Sequence, residues 1–394
     1  MQNTPFPLLA QFRNLLQIEL FPALESVVNT LSKPAKLLVA VVTMAELERW
    51  LGGRRSATGR IPEDRVCLGK AFLAKAIYRI DCTSDLRVRL KTDEQVRRLC
   101  GWDDAEQVPS ESTFSRALAE FAQSKVLEQI HATLVRNNLQ GCDFEYIARD
   151  ATAIESRQLL EGAKSERASA KPASKPAGKT PAAKRGWKWK PKRKRGPHKR
   201  AKARERGKRL ERQQHMNLAQ MLEDLPKDCS WGAKRNSQGN DEYWCGYKLH
   251  WDVTYGGRIP VSCILTSANV HDSQVALPLM ELSAGRIRWK CELMDSAYDA
   301  RIIRQQCQKR GHEAIIKPIR RRRKQAAAIG VDELNAEEKE RFKKRTIVEQ
   351  MNGRLKDEFG GRIIYVRGAA KVMTHLMFGI LALTVDQLLL QRSG

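Results

Sequence analysis

Three carboxylates fall where chemistry is conceivable: Asp150 closes FEYIARD, Asp295 closes CELMD, and Glu349 sits inside RFKKRTIVEQMNGRLKDEFGG. FEYIARD alternates and carries aromatic and β-branched side chains, and CELMD reads as a strand running into Asp295, so each is expected to be a strand that ends in its aspartate. The third carries two periodic sets. Val348, Met351, Leu355 and Phe359 form an apolar stripe, and Arg345, Glu349, Asn352 and Lys356 form a polar one. At 3.6 residues per turn both sets fit a single helix, which Gly360 and Gly361 should end. Carboxylates gathered at one sheet edge repel one another and are tolerated mainly when cations share the site. Oxygen donors with no obligatory histidine or thiol suit a hard ion, Mg²⁺ or Mn²⁺. Two such ions about 3.5–4 Å apart activate a water or a 3′-hydroxyl and stabilise the leaving oxygen of a phosphodiester. Arg345 and Lys356, flanking Glu349 on the same stripe, would hold phosphates beside the metals. Taken singly, each carboxylate is more often a solvated or capping group, and the polar stripe alone would pass for i,i+4 charge pairing.

The elements that must position these residues follow from pattern. Residues 1–140 read as an all-helical N-terminal domain of amphipathic segments, including LLAQFRNLLQIELFPALESVV and KLLVAVVTMAELERWLGG. A helix ending at Cys100-Gly101 and another starting near Pro109, Ser110 and Ser112 would make either a loose helix-turn-helix or a plain bundle, with Phe114, Leu118, Phe121 and Leu127 buried. From residue 141 to 365 the expected order is the Asp150 strand, two strands, a helix, the Asp295 strand, a helix, a strand and the Glu349 helix. The two middle strands are joined at Tyr255-Gly256-Gly257. Tyr247, Leu249, Trp251 and Val253 share one face of the first, and Lys248, His250 and Asp252 share the other. His250 would face a ligand or solvent. In NVHD, His271 is either a metal ligand or a turn residue, and Tyr298 is expected to pack behind Asp295. Residues 366–394 should be an apolar packing helix. The fold class expected is α/β, a mixed sheet flanked by helices, beside the helical N-terminal domain.

Charge narrows the partners. The chain of 394 residues carries 71 Lys and Arg against 45 Asp and Glu, a net of +26, which suggests a polyanionic partner. No apolar run is expected to reach the eighteen or so residues that span a bilayer, and MQNTPFPLLA lacks the basic flank of a signal peptide, so nucleic acid in the cytosol is the expected partner. Residues 157–212 interrupt the α/β segment with 22 basic and 4 acidic residues, a net of +18, drawn mostly from Ala, Pro, Lys and Arg. Such a stretch buries no core and is expected to be a disordered basic insertion. Trp187 and Trp189 within it sit among cations and would stack on bases. Nine scattered cysteines, none in a CxxC pair, are expected to be reduced thiols.

These residues resemble those of the DDE transposases of bacterial insertion sequences. Asp150-Ala151-Thr152 matches the family's first aspartate, and Asp295-Ser296-Ala297-Tyr298-Asp299 matches the second. Phe342, Arg345, Glu349 and Lys356 keep the spacing of its Tyr-Arg-Glu-Lys signature, with phenylalanine in place of tyrosine. GYKLH and NVHD also recur in relatives. The similarity runs from about Tyr146 to Lys356. It implies a ribonuclease-H-like catalytic domain in which Asp150, Asp295 and Glu349 hold two Mg²⁺ or Mn²⁺ ions. It further implies cleavage at the terminal inverted repeats of an element and strand transfer to target DNA. Arg345, Lys356, Lys248, Trp187 and Trp189 are then expected to contact DNA. The N-terminal helices would recognise the ends and pair protomers into a dimer, in a bacterial cytoplasm at the nucleoid. The rivals are a catalytically inactive or domesticated DNA-binding descendant, and a nuclease of the same fold that cuts without joining.

Overall fold

The computed structural model describes residues 31–52, 63–158, 208–235, 239–318 and 334–393. Trp187, Trp189, the basic run 320–324 and the first expected helix lie outside the described residues. The N-terminal helices are α1 (Lys33–Met44), α2 (Leu47–Leu51), α3 (Arg65–Ile77), α4 (Thr83–Thr92), α5 (Glu94–Cys100), α6 (Glu111–Ser124) and α7 (Val126–Leu139). Local chemistry starts and stops them. The Asp64 carboxylate accepts the Val66 N–H at 2.8 Å to cap α3, and Gly101, at φ 99°, turns the chain out of α5 in the left-handed region. Ten residues then separate α5 from α6. That is too long for the tight connection of a helix-turn-helix, and the segment is a bundle.

Strand β1 (Asp143–Glu155) follows, then helices α8 (Arg209–Gln213) and α9 (Leu218–Asp224), and strands β2 (Ser230–Arg235), β3 (Asp241–Thr254) and β4 (Pro260–Ser267). Helix α10 (Ala276–Ala284), β5 (Arg288–Met294), α11 (Arg301–Lys309), β6 (Glu313–Ile316), α12 (Ala336–Lys343), α13 (Thr346–Glu358) and α14 (Ala369–Ser393) complete the described chain. The second half of β3 lies between β1 and β4, antiparallel to both, while β5 and β6 continue the sheet parallel to β1. The sheet is therefore mixed and flanked by helices, as expected of a ribonuclease-H-like domain. β2 extends the first half of β3 as an antiparallel ribbon. At the start of the β1–β3 ladder Gly246 has φ 153°, and a Cβ there would sit 2.2 Å from the Ile154 carbonyl oxygen, so only glycine fits.

Four differences from the sequence reading have physical causes. The strand bearing Asp150 does not end there but runs to Glu155, because pairing with β3 continues to Glu155↔Gly246 after β5 has ended. The single helix expected from Arg341 is two, α12 and α13, meeting at Lys344 and Arg345. The end of the basic insertion is folded: α8 begins at Arg209, and Arg209 and Arg212 each reach Asp224 at 2.8 Å. Finally, Ala369–Gln391 is long and apolar enough to cross a membrane by length and composition. Most of its apolar residues are instead enclosed by protein, since Val372, Leu376, Phe378, Leu381, Val385 and Leu388 are all buried, as in the core helix of a globular fold.

Helix α14 packs on α1, α3, α6 and α7 and also on β4. Phe72 of α3 and Phe378 of α14 stack with ring centroids 5.3 Å apart, and Phe114 meets Phe72 edge-on at 5.7 Å. One continuous core thus joins the helical layer to the sheet. No disulfide joins cysteines among the described residues.

Candidate active site

The parallel pairing of β1 with β5 ends at Arg149↔Met294, so Asp150 and Asp295 are the next residues on neighbouring strands. Side chains alternate along a strand, which puts these two carboxylates on the same face at the point where β5 leaves the sheet. Asp295 then caps a short 3₁₀ turn, its Oδ1 accepting the Ala297 N–H at 2.9 Å. Residues on the opposite face of β1 anchor the strand. The buried Arg149 guanidinium donates to both oxygens of Asp252, at 2.8 and 2.9 Å, and lies 2.9 Å from Glu292 Oε2. Ser283 Oγ donates to Asp252 Oδ2 at 2.6 Å, and His312 Nδ1 lies 3.2 Å from Glu292. The polar face of β3 is consequently interior. His250 is fully buried against Thr266 at 2.9 Å, and burial holds it neutral, with its pKa down at about 4.

Helix α13 crosses this edge and packs Ile347, Val348, Met351 and Leu355 inward. Its polar stripe delivers three contacts. Arg345 Nη1 lies 3.5 Å from Asp150 Oδ1, Arg345 Nη2 donates to Glu349 Oε1, and Asn352 Nδ2 donates to Asp150 Oδ2 at 3.1 Å. Arg345 therefore bridges the first and third carboxylates, and Phe342 supports it with the guanidinium 5.8 Å from the ring centroid. The missing tyrosine hydroxyl leaves that aromatic contact in place. Burial pushes the Asp150 carboxyl up to about 7; the Arg345 guanidinium opposes the rise and Asp295 adds to it. Burial also raises Asp295, again against the pull of Arg345 and with a push from Asp272. Tyr298 is fully buried behind this group, its hydroxyl held protonated by burial and by Asp272, Asp150 and Asp295. That is the packing role expected of it.

Glu349 is half exposed, and its carboxylate is turned to Arg345. Among the described residues no three His, Cys, Asp or Glu side chains stand together as a ready ligand set. The donors nevertheless suit a hard divalent cation. They are oxygens, two of the carboxylates are raised by burial and by neighbouring acidic charge, and Asn352 Oδ1 is buried with no hydrogen-bond partner among the described residues.

Two of the residues expected to contact DNA are described besides Arg345. Lys356 is partly buried near Lys234 and Arg362; burial first, then repulsion from those cations, lowers its pKa. Lys234 is itself paired with Glu242 at 3.0 Å and Arg362 with Asp357, so the far end of α13 is a mixed-charge cluster. Lys248 is placed differently, since its ammonium donates to Asp272 Oδ1 at 2.9 Å and to the Val270 carbonyl at 3.0 Å. It braces the NVHD turn. His271 caps the same turn, with Nδ1 2.8 Å from Ser273 Oγ. Sequence reasoning missed two contributors. Asp272, read only as part of a turn, bears electrostatically on Asp150 and Asp295. Asn352 was given no role, although its place three residues after Glu349 on the polar stripe was the available signal.

Residues 176–385 match the family described as "Transposase DDE domain", and residues 23–120 match "Transposase domain (DUF772)". The first match takes in Asp295 and Glu349 and begins downstream of Asp150, which the β1–β5 pairing brings beside Asp295. No curated protein and no solved structure matches the chain.

Proposed function

The chain belongs to the DDE transposases, and from that premise we propose that it cuts DNA at the ends of its own element and joins the freed 3′-hydroxyls to a target. The observation that carries this reading is the adjacency of Asp150 and Asp295 at the edge where β5 leaves β1, with α13 tied across them through Arg345 and Asn352. Asp150, Asp295 and Glu349 are the residues that would hold Mg²⁺ or Mn²⁺, two ions in this reading. Bound there, the ions supply Lewis acidity to the attacking and leaving oxygens of a phosphodiester.

The protein's own groups set the conditions. Asp150 must lose its proton to act as a ligand, and Arg345 favours that loss by its charge. Arg345 carries a buried Nη1 with no hydrogen-bond partner among the described residues, a donor suited to a phosphate oxygen. Lys356, at the far end of α13, then meets a DNA phosphate away from the carboxylates. The basic stretch 159–207 tracks backbone phosphates, with Trp187 and Trp189 stacking on bases. The N-terminal helices read the terminal inverted repeats and pair protomers into a dimer. The setting is the bacterial cytoplasm, at the nucleoid.

The test is incubation with Mg²⁺, end-containing DNA and a target plasmid. Joined products that carry the element's 3′ ends support the reading. Cut ends that never join, under conditions where cutting is complete, would make the protein a nuclease of this fold.

A further inference from the structure

We infer that Asn352 is a further ligand of the divalent cation held by Asp150, its side-chain oxygen binding the ion while its amide nitrogen orients the carboxylate. This rests on the metal-binding reading of the carboxylates given above. Asn352 Nδ2 donates to Asp150 Oδ2 at 3.1 Å, the amide orientation that suits the ionised carboxylate a cation requires, because the reverse would set two acceptors against each other. Oδ1 then points elsewhere. It is buried, with neither water access nor a hydrogen-bond partner among the described residues. An unpaired buried acceptor is costly, and it sits one helical turn from Glu349 on the stripe that crosses the carboxylates. Arg345 Nη1, also buried and without a hydrogen bond, faces Asp150 Oδ1 at 3.5 Å. The site thus keeps one unpaired acceptor for a cation beside the carboxylate that Arg345 faces. A neutral amide oxygen is an ordinary ligand for a hard ion, and it adds a donor atom without adding to the repulsion between Asp150 and Asp295.

A merely orienting Asn352 would act through Nδ2 alone, and that difference sets the experiment. Mn²⁺ affinity of the full-length protein is measured by calorimetry at pH 8 without DNA, for wild type, Asn352→Ala, Asn352→Asp and Asp150→Asn. Asn352→Ala should weaken Mn²⁺ binding by about 10–100-fold. Asn352→Asp keeps an oxygen and loses the amide donor, so it should bind Mn²⁺ at least as tightly as wild type. If aspartate and alanine lose affinity alike, Asn352 only orients Asp150 and the inference is overturned, as it is if neither variant changes. Asn352→Leu, of similar size and without oxygen, should repeat the alanine result and replaces it if Asn352→Ala does not fold. Asp150→Asn should lose binding in every case. Wild-type Mn²⁺ affinity in that variant would sink the underlying metal reading, whereas its loss together with unaltered Asn352 variants would sink this inference alone.

Discussion

Asp150 should make the folded protein less stable as pH rises, and its removal should reverse the trend. Burial lifts this carboxyl from the ordinary 3.8 to about 7, a result already net of the attraction of Arg345. At about 1.36 kcal/mol per pH unit, ionising Asp150 in the folded chain costs about 4 kcal/mol more than ionising it in the unfolded one. The sign follows from proton binding. Between about pH 4 and pH 7 the folded state holds a proton that the unfolded state has released, so stability from this group is complete below pH 4 and gone above pH 7. Asp150→Asn has nothing to ionise. In EDTA its stability should match wild type near pH 3 and exceed it by up to about 4 kcal/mol at pH 8. The assay is denaturant unfolding of both proteins at the two pH values, so that every other titrating group cancels in the difference. Adding Mn²⁺ at pH 8 should narrow the gap, because only wild type gains from binding. A difference that does not change between the two pH values, or an asparagine variant less stable at pH 8, would refute the reasoning.

Two other outcomes are expected. Arg149→Met leaves Asp252 buried with no compensating cation and Glu292 with only His312 beside it, and should lower unfolding stability by about 3–5 kcal/mol; a loss well under 1 kcal/mol in a denaturant melt would show that the network does not brace β1. Replacing residues 159–207 with a Gly/Ser linker should flatten the salt dependence of non-specific DNA binding by about 4 if some five phosphates are engaged. Arg209→Ala with Arg212→Ala should leave that slope unchanged, because both side chains are held by Asp224; a slope insensitive to the linker would end the DNA-tracking role of the segment.

Much of the site was legible because its signals are local. Two strand-like segments ending in aspartate and a helix with a polar stripe at steps of four, three and four can be read without knowing what they touch. What was hidden depends on distant partners. Nothing in Ala151–Glu155 says that β1 continues past Asp150, since that is decided by its ladder with β3. SWGAKR, a short segment with a glycine, becomes β2 only by pairing with the ribbon end of β3. Lys248 was read as a DNA contact and His250 as facing a ligand or solvent because alternation cannot distinguish polar residues facing outward from polar residues paired inside. The partner of Asp252 is Arg149, a hundred residues earlier, and no periodicity links them. Likewise, the composition of α14 marked it as a packing helix but not that it would unite the N-terminal helices with β4.

The central claim is that Asp150, Asp295 and Glu349 act together on a phosphodiester, and cleavage of end-containing DNA in Mg²⁺ tests it most directly. Asp150→Asn, Asp295→Asn and Glu349→Gln each keep the size of the side chain and remove its charge. Each should bind the DNA as wild type does yet cut it slower by orders of magnitude, with double variants little worse than single ones because the three act as a unit. Cutting at near wild-type rate by any one of them would remove that residue from the site and contradict the account.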